Sequence, residues 1–401
     1  MSRHPSTPGD GRPRRAPTAT AWALLALLVG SPGATGADST PAWSPLDSLA
    51  VEPAFPGVLG NPRILVDGAG RLRIIAAEFA DSSQKATLGW RAWDWRNGHF
   101  VAGPRLPARG AFLPPDPVAT DDSLTRVLWL GHDIDRDGRG RVLTADLAGD
   151  AFTTPDTILA TWPQASELAG AIGPRREWVV RSEQRFPQAT TFAVRVLTRP
   201  RGAPVGWHEL PDLGTDEFGC GAAPLAGDSV LVVHAGASGL AFAVGGATGW
   251  GRRGTLDPRP WRAMHPRLRP DGAGGAWLLW TDKEHARVAR WTGGGWSERD
   301  SLSAEHAPGE TFWSAWCDLD RTPGAGRPIL AWGDRGYGST MRDVLCVAWP
   351  TATGWTAGQV VPGSEGAIVP TLARDATGAT WIAWSLPDRP GVFYTRRAPA
   401  E

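Results

Sequence analysis

The chain is nearly without lysine. Lys85 and Lys283 are the only two, so almost every one of its 41 basic residues is an arginine. A GC-rich genome alone would produce that bias. Cysteine is scarce as well: Cys220, Cys317 and Cys346 are all there is, with no C-x-x-C and no metal-like Cys/His spacing. An odd number leaves at least one free thiol in an exported protein. No apolar run is long enough to span a membrane and stay there. There is no G-x-S-x-G nucleophile elbow and no phosphate loop. No stretch of helical period stands out in residues 38–401. Basic amphipathic segments are missing too, so a membrane surface is not an expected partner.

Residues 1–37 read as an export signal. Arg12, Arg14 and Arg15 precede the apolar run Ala21 to Val29, and small residues around Ala37 fit a cleavage site. The Arg14-Arg15 pair also fits a twin-arginine route, although its flanks are poor. The expected location is therefore secreted or periplasmic. Without this leader 37 basic face 40 acidic residues, a net of −3. That balance gives no reason to bind nucleic acid.

What the sequence has in abundance is turns and repeats. Its 50 Gly and 36 Pro follow no collagen-like period, which points to a turn-rich all-β protein. Residues 264–282, 368–386 and 60–78 share one plan: a short apolar strand, an Asp/Gly turn, then a second strand ending in a small and a polar residue. A third strand and a second turn follow, leading to an aromatic at Phe100, Phe152, Trp207, Trp250, Trp296 and Trp355. Apolar–polar alternation rich in Val, Trp and Thr fits strands. First-to-second-strand hairpins recur near 62–78, 117–132, 170–183, 222–234, 266–282, 315–334 and 370–385.

The last unit, ending in Gly391 to Arg397, lacks a fourth strand. The missing strand lies at the other end of the chain. W-S-P-L-D-S-L-A (43–50) resembles the fourth strand W-S-E-R-D-S-L-S (296–303). Pairing it with the last unit closes a ring and hides an edge that would otherwise template aggregation. The expectation is a single domain, 38–401: a seven-bladed β-propeller whose N-terminal strand closes the last blade, with about 52 residues per blade. Two β-sandwiches are the alternative, but they leave residues 43–50 unexplained. A monomer is expected.

Propeller geometry then places the candidate site. With strands A to D in chain order, the D–A and B–C connections share one face. B strands end in a recurring polar column: Glu78, His132, Glu183, Asp282 and Asp334, with His234 one place earlier. The D–A loops add Trp162, Trp261, His265, Phe312 and Trp313, of which Trp261 and Trp313 fit the core pattern least. A concave face with a few polar groups and aromatic walls is a ligand site. Acidic strand ends are equally often turn formers bonded to nearby backbone. The Trp residues of the B and C strands (277, 280, 332, 349, 381, 384) are expected as wedges between blades.

The pattern resembles the sialidase-like and BNR-type propellers over most of the chain. Asp271 to Trp277 and Asp375 to Trp381 are similar to that group's Asp-box, but they fall in A–B rather than C–D hairpins. Pro62-Arg63-Ile64-Leu65 with Glu78 resembles its first Arg-Ile-Pro segment. The resemblance implies an arginine cluster, a Tyr nucleophile with a Glu base, and an Asp acid. Only Tyr337 and Tyr394 are available, and Tyr394 reads as a packing residue. Two functions follow: an exported binder of a glycan, peptide or protein on the D–A/B–C face, or a glycoside hydrolase or lyase using the column carboxylates there.

One segment has metal-like spacing. Asp133, Asp135 and Asp137 before Gly138 resemble the first half of a calcium loop. Arg141 and Thr144 stand where the later ligands would fall, and neighbouring arginines oppose a cation. A solvated acidic hairpin is the alternative. If calcium binds, millimolar calcium will raise the melting temperature by mass action, and Asp135→Ala will abolish the rise. An unchanged wild-type melting temperature excludes the site.

Overall fold

In the computed structural model the described residues are 42–49, 57–81, 87–107, 116–119, 124–131, 140–161, 165–184, 192–203, 206–214, 217–260, 263–282, 285–302, 316–320, 322, 326–335, 343–386 and 389–399. They contain no helix. They form seven antiparallel sheets, each running strand A to strand D in chain order. Blade 1 is Val58–Val66, Leu72–Phe79, Thr87–Arg96 and His99–Pro107. Blade 2 is Asp116–Ala119, Leu124–Gly131, Gly140–Ala148 and Asp156–Thr161. Blade 3 is Ala165–Ile172, Arg176–Gln184, Phe192–Pro200 and His208–Glu209. Blade 4 is Glu217–Leu225, Ser229–Gly236, Gly239–Gly245 and Trp250–Asp257. Blade 5 is Met264–Pro270, Ala276–Thr281, Ala286–Trp291 and Trp296–Leu302. Blade 6 is Cys317–Leu319, Leu330–Arg335, Asp343–Ala348 and Gln359–Val360. Blade 7 is Ile368–Arg374, Thr380–Leu386 and Arg389–Arg397, completed by Asp47–Ser48.

Each A strand packs against the A strand of the next blade, from blade 1 round to blade 7 and back, so the A strands surround the axis. Hydrophobic clusters sit between consecutive blades, including one joining blade 7 to blade 1. Trp277, Trp280, Trp332, Trp381 and Trp384 are buried in them, as wedge residues must be. Trp349 is partly buried and packs on Trp43.

The chain ends close the ring as the repeat predicts. Asp47 pairs with Tyr394 and Ser48 with Phe393, flanked by bonds from Ser44 N to Arg396 O and Leu49 N to Val392 O. The Tyr394 hydroxyl donates to Asp47 Oδ2 at 2.7 Å. Tyr394 is buried beside Phe100, a packing residue as its sequence suggests.

The fourth strands differ from expectation in length. Phe152 lies in a two-residue segment paired to strand C, and the longer D strand begins at Asp156. After Trp207 and Trp355 the D strands are only two residues long. In blade 6 Trp355 is held by a bridge to Pro350, and its indole donates to Pro328 O. A local aromatic latch does what ladder bonds do elsewhere.

The Asp residues of the A–B hairpins are turn formers. Asp67 Oδ1 accepts from Ala69 N and Arg71 N, Asp271 Oδ1 from Ala273 N and Gly275 N, and Asp375 Oδ1 from Thr377 N and Ala379 N. Gly70 and Gly378, at φ of 77° and 82°, supply the left-handed turn position. Arginine then joins blades: Arg126 of blade 2 reaches Glu177 of blade 3 at 2.5 Å, and Arg374 of blade 7 reaches Asp320 of blade 6 at 2.5 Å. The planar fork suits several acceptors at once, which an ammonium does less well.

The three thiols are buried and unbonded. Cys317 and Cys346 both pair with Trp332 from opposite sides, two strand spacings apart and beyond disulfide reach. Deleting residues 38–51 removes the closing strand and buried Leu49, whose burial alone is worth about 1.5–3 kcal/mol. The truncated protein should melt lower and aggregate, while removal of 38–41 alone should do little; equal melting temperatures would show that the ring does not depend on this strand.

Candidate functional site

Glu78, Glu183 and Asp282 lie at the ends of B strands, as the repeat requires, but their carboxylates are engaged by arginines. Glu78 receives Arg91 at 2.8 Å and Arg105 as well. Glu183 receives Arg181 at 2.7 Å and Arg195 at 3.1 Å. Asp282 receives Arg287 at 2.5 Å and Arg259 at 3.2 Å, together with the His285 N–H. The clamp on strand C recurs: Arg91, Arg195 and Arg287. Arg63 is buried and donates to Pro62 O. His234 is buried opposite Cys220 in blade 4. Asp334 falls in strand B of blade 6 opposite Val344. His132, Asp133, Asp135, Asp137, Trp162, Trp261, Phe312, Trp313 and Tyr337 lie outside the described residues.

A different group converges on the axis at the D–A end. The A strand of blade 5 opens Met264-His265-Pro266-Arg267, with a bulge between Met264 and Arg267. A bulge re-aims side chains. Here it leaves His265 at φ 45°, uncommon for a residue with a Cβ. Asn61 and Val369, each also before a proline, repeat this in blades 1 and 7 at φ 49° and 53°. Strain of that kind is retained where the surroundings fix it and concentrates at functional sites.

Glu167 of blade 3 fixes His265. Its Oε1 accepts from His265 Nδ1 at 3.2 Å and from Arg267 Nη1 at 2.8 Å, and its Oε2 accepts from Cys220 N at 2.8 Å. The side chain must cross blade 4 to do this. Gly219 lets it pass: a Cβ there would stand 3.0 Å from Glu167 Oε2 and 3.0 Å from Pro266 Cδ. Burial pushes the Glu167 carboxyl up, but Arg267, His265 and the Cys220 N–H outweigh it and hold it below the usual range. Trp316 stacks on the His265 ring, with centroids 5.1 Å apart and planes 12° apart. Because Nδ1 donates to the carboxylate, neutral His265 keeps the lone pair on Nε2, which has no partner among the described residues.

Below this group lies an axial cavity of about 690 Å³, within the range of small-molecule sites. Its walls come from the A strands of blades 2 to 5 and the A–B turns of blades 3 to 5, with Gly68 of blade 1 and Thr322 of blade 6. Pro117, Ile172, Leu225 and Leu268 give it an apolar lining, and Asp116, Arg267 and Arg269 its charges. The two nearest thiols are poor nucleophiles: burial pushes Cys220 well up and Cys317 up to about 12.

Sequence reading reached His265 through its D–A loop but missed Glu167, Arg267 and Trp316. Glu167 carries no local signal, since its partners are about 50 and 100 residues away. The His265-Pro266 step, matching Asn61-Pro62 and Val369-Pro370, was the available clue.

No family model matches the chain. No curated protein matches it either. Solved structures do. A protein of unknown function from Dyadobacter fermentans DSM 18053 superposes with a TM-score of 0.52 at 10% identity, covering 90% of this chain and 99% of that one. The NanB sialidase from Streptococcus pneumoniae gives 0.47 at 8% identity, over 89% and 70% of the two chains. Penicillium chrysogenum α-L-arabinanase, complexed with arabinobiose, gives 0.45 at 9%, over 70% and 92%. The likeness is one of fold alone: the chain is a seven-bladed β-propeller.

The Glu167 carboxyl is held below its ordinary pKa, so its stabilising contribution is present above the unfolded carboxyl value of about 4.3 and is lost as pH falls through the lower folded value. Melting temperature should therefore drop more steeply with acidification in the wild type than in Glu167→Gln. Gly219→Ala should lower stability at neutral pH by displacing the carboxylate. Parallel acid profiles for wild type and Glu167→Gln would contradict the assignment.

Proposed function

We propose that this chain is an exported, monomeric β-propeller that binds a glycan, peptide or protein at the D–A/B–C end of its axis. His265 is the polar anchor. The observation that carries the reading is its fixed ring, held by Glu167 on one side and Trp316 on the other. Preorganisation of that kind lowers the cost of binding. The arginine clamps on Glu78, Glu183 and Asp282 favour binding over glycoside hydrolysis, because they tie up the carboxylate oxygens that an acid or a nucleophile would turn to a glycosidic bond. Among the described residues Glu167, Asp257, Asp271 and Asp375 are carboxylates held below the ordinary range. Asp133, Asp135 and Asp137 are proposed as an accessory calcium site.

One feature favours the second reading, a hydrolase or lyase: an ionised carboxylate orienting an imidazole is how a general base is positioned. A glycan and peptide array on residues 38–401, with a turnover assay on every hit, separates the two. Binding without turnover, lost in His265→Ala with the fold intact, is expected. Turnover abolished by His265→Ala makes the second reading correct, and binding unaffected by His265→Ala overturns both.

A further inference from the structure

The axial cavity extends away from His265 towards the opposite face of the ring. Its lining runs from Pro266 and Arg267 to the A–B turns, where Gly68, Gly173, Pro174, Ala226, Gly272 and Gly274 border it. The two ends of the axis therefore present different chemistry.

The walls have few side chains that can move. Most of the lining residues are Gly, Ala or Pro. These have no rotamers to freeze, so the cavity keeps its shape and a guest orders little on entering. The larger uncharged side chains are aliphatic: Ile172, Leu225 and Leu268. Ile172 is half-buried, yet it belongs to none of the hydrophobic clusters between blades. An aliphatic side chain outside the core, on a concave wall, offers its contact area to a guest.

The charges of the walls are engaged inside the protein. Asp116 Oδ2 accepts from Gly170 N at 2.8 Å, and Arg267 Nη1 donates to Glu167 Oε1 at 2.8 Å. Arg269 Nη1 donates to Asp320 O at 2.6 Å and Thr322 O at 3.3 Å, and its Nη2 to Gly326 O at 3.2 Å. The Asp320 carboxylate lies 3.5 Å from the same guanidinium. A charged guest would leave water and then have to break one of these contacts to find a counter-charge, which is costly. None of the described lining residues is aromatic. Neither a flat aromatic molecule nor the C–H face of a sugar finds a ring to stack on.

We propose that the axial cavity is a second ligand site, reached from the A–B face, and that it takes a neutral alicyclic molecule. Aliphatic rings match walls of Ile, Leu and Pro and bring no charge to desolvate. Being rigid, they lose little conformational freedom on entering. The volume of about 690 Å³ lies in the range of small-molecule sites and accommodates a guest larger than a single ring. The site is separate from the His265 anchor, and either can exist without the other.

Calorimetry on residues 38–401 tests it with 1-adamantanol, 1-adamantanecarboxylate, 1-adamantylammonium and 1-decanol. The first three share one cage and differ in charge; the last is an alcohol of equal carbon count in a flexible chain. Saturable binding of 1-adamantanol is expected, with a negative heat-capacity change from apolar burial. Each charged analogue should bind about tenfold or more weakly, for want of a counter-charge. The decanol should also bind more weakly, since its chain must be ordered. Ile172→Trp should abolish 1-adamantanol binding by filling the cavity; if that variant does not fold, the wild-type series decides. No binding of 1-adamantanol by the folded wild type overturns the proposal. So does equal or tighter binding of a charged analogue or of 1-decanol, or binding unchanged in folded Ile172→Trp.

Discussion

A propeller has an exposed edge at its centre. Strand A of each blade is hydrogen-bonded to strand B on one side only, so its other side turns a row of backbone N–H and C=O groups towards the axis. Here side chains of the preceding blade cap that edge. Asp116 of blade 2 accepts from Gly170 N of blade 3, and Glu167 of blade 3 from Cys220 N of blade 4. Thr322 of blade 6 accepts from Arg374 N of blade 7, and Thr371 of blade 7 from Ile64 N of blade 1. The direction is the same each time. Buried amides are satisfied, and each blade is registered against the next at its innermost point. The hydrophobic wedges hold the blades together, but they are non-directional. The caps set the height of one blade on another.

The candidate site grows out of this device. Threonine caps an amide with one oxygen and has little left over. Glutamate has a second oxygen, and in blade 3 that oxygen extends past Gly219 to His265 and Arg267. One carboxylate thus satisfies an edge and orients a ring two blades away. The price is a charge taken out of water, offset by Arg267, and a strained backbone at His265. Asp116 likewise caps Gly170 and faces the cavity. The same positions that close the fold supply the polar groups of its axis.

Much of the architecture was legible in the sequence because its signals are local and repeated. The A–B hairpins announce themselves by Asp and Gly at fixed offsets, and the closing strand by the likeness of 43–50 to 296–303. The fourth strands of blades 3 and 6 were overestimated, since Trp207 and Trp355 anchor them through side chains and not through long ladders. The column Glu78, Glu183 and Asp282 was legible, whereas its engagement by Arg91, Arg195 and Arg287 was not. That pairing depends on strand register, which the pattern of apolar residues leaves open by a residue or two. Glu167, Arg267 and Trp316 were out of reach for a deeper reason. Their meeting depends on the order of blades round the ring, and no window of sequence contains all three.

The central claim is that a side chain from one blade seals the inner edge of the next and, at blade 3, builds the site in doing so. Amide hydrogen exchange at Cys220 addresses it directly. The amide lies on an edge with no strand beside it, so ladder pairing cannot protect it. Slow exchange is predicted in the wild type, with selective acceleration at Cys220 in Glu167→Ala while Val232 and Ala243, central in the same sheet, stay protected. Rapid exchange at Cys220 in the wild type, or protection unchanged in Glu167→Ala, would contradict it.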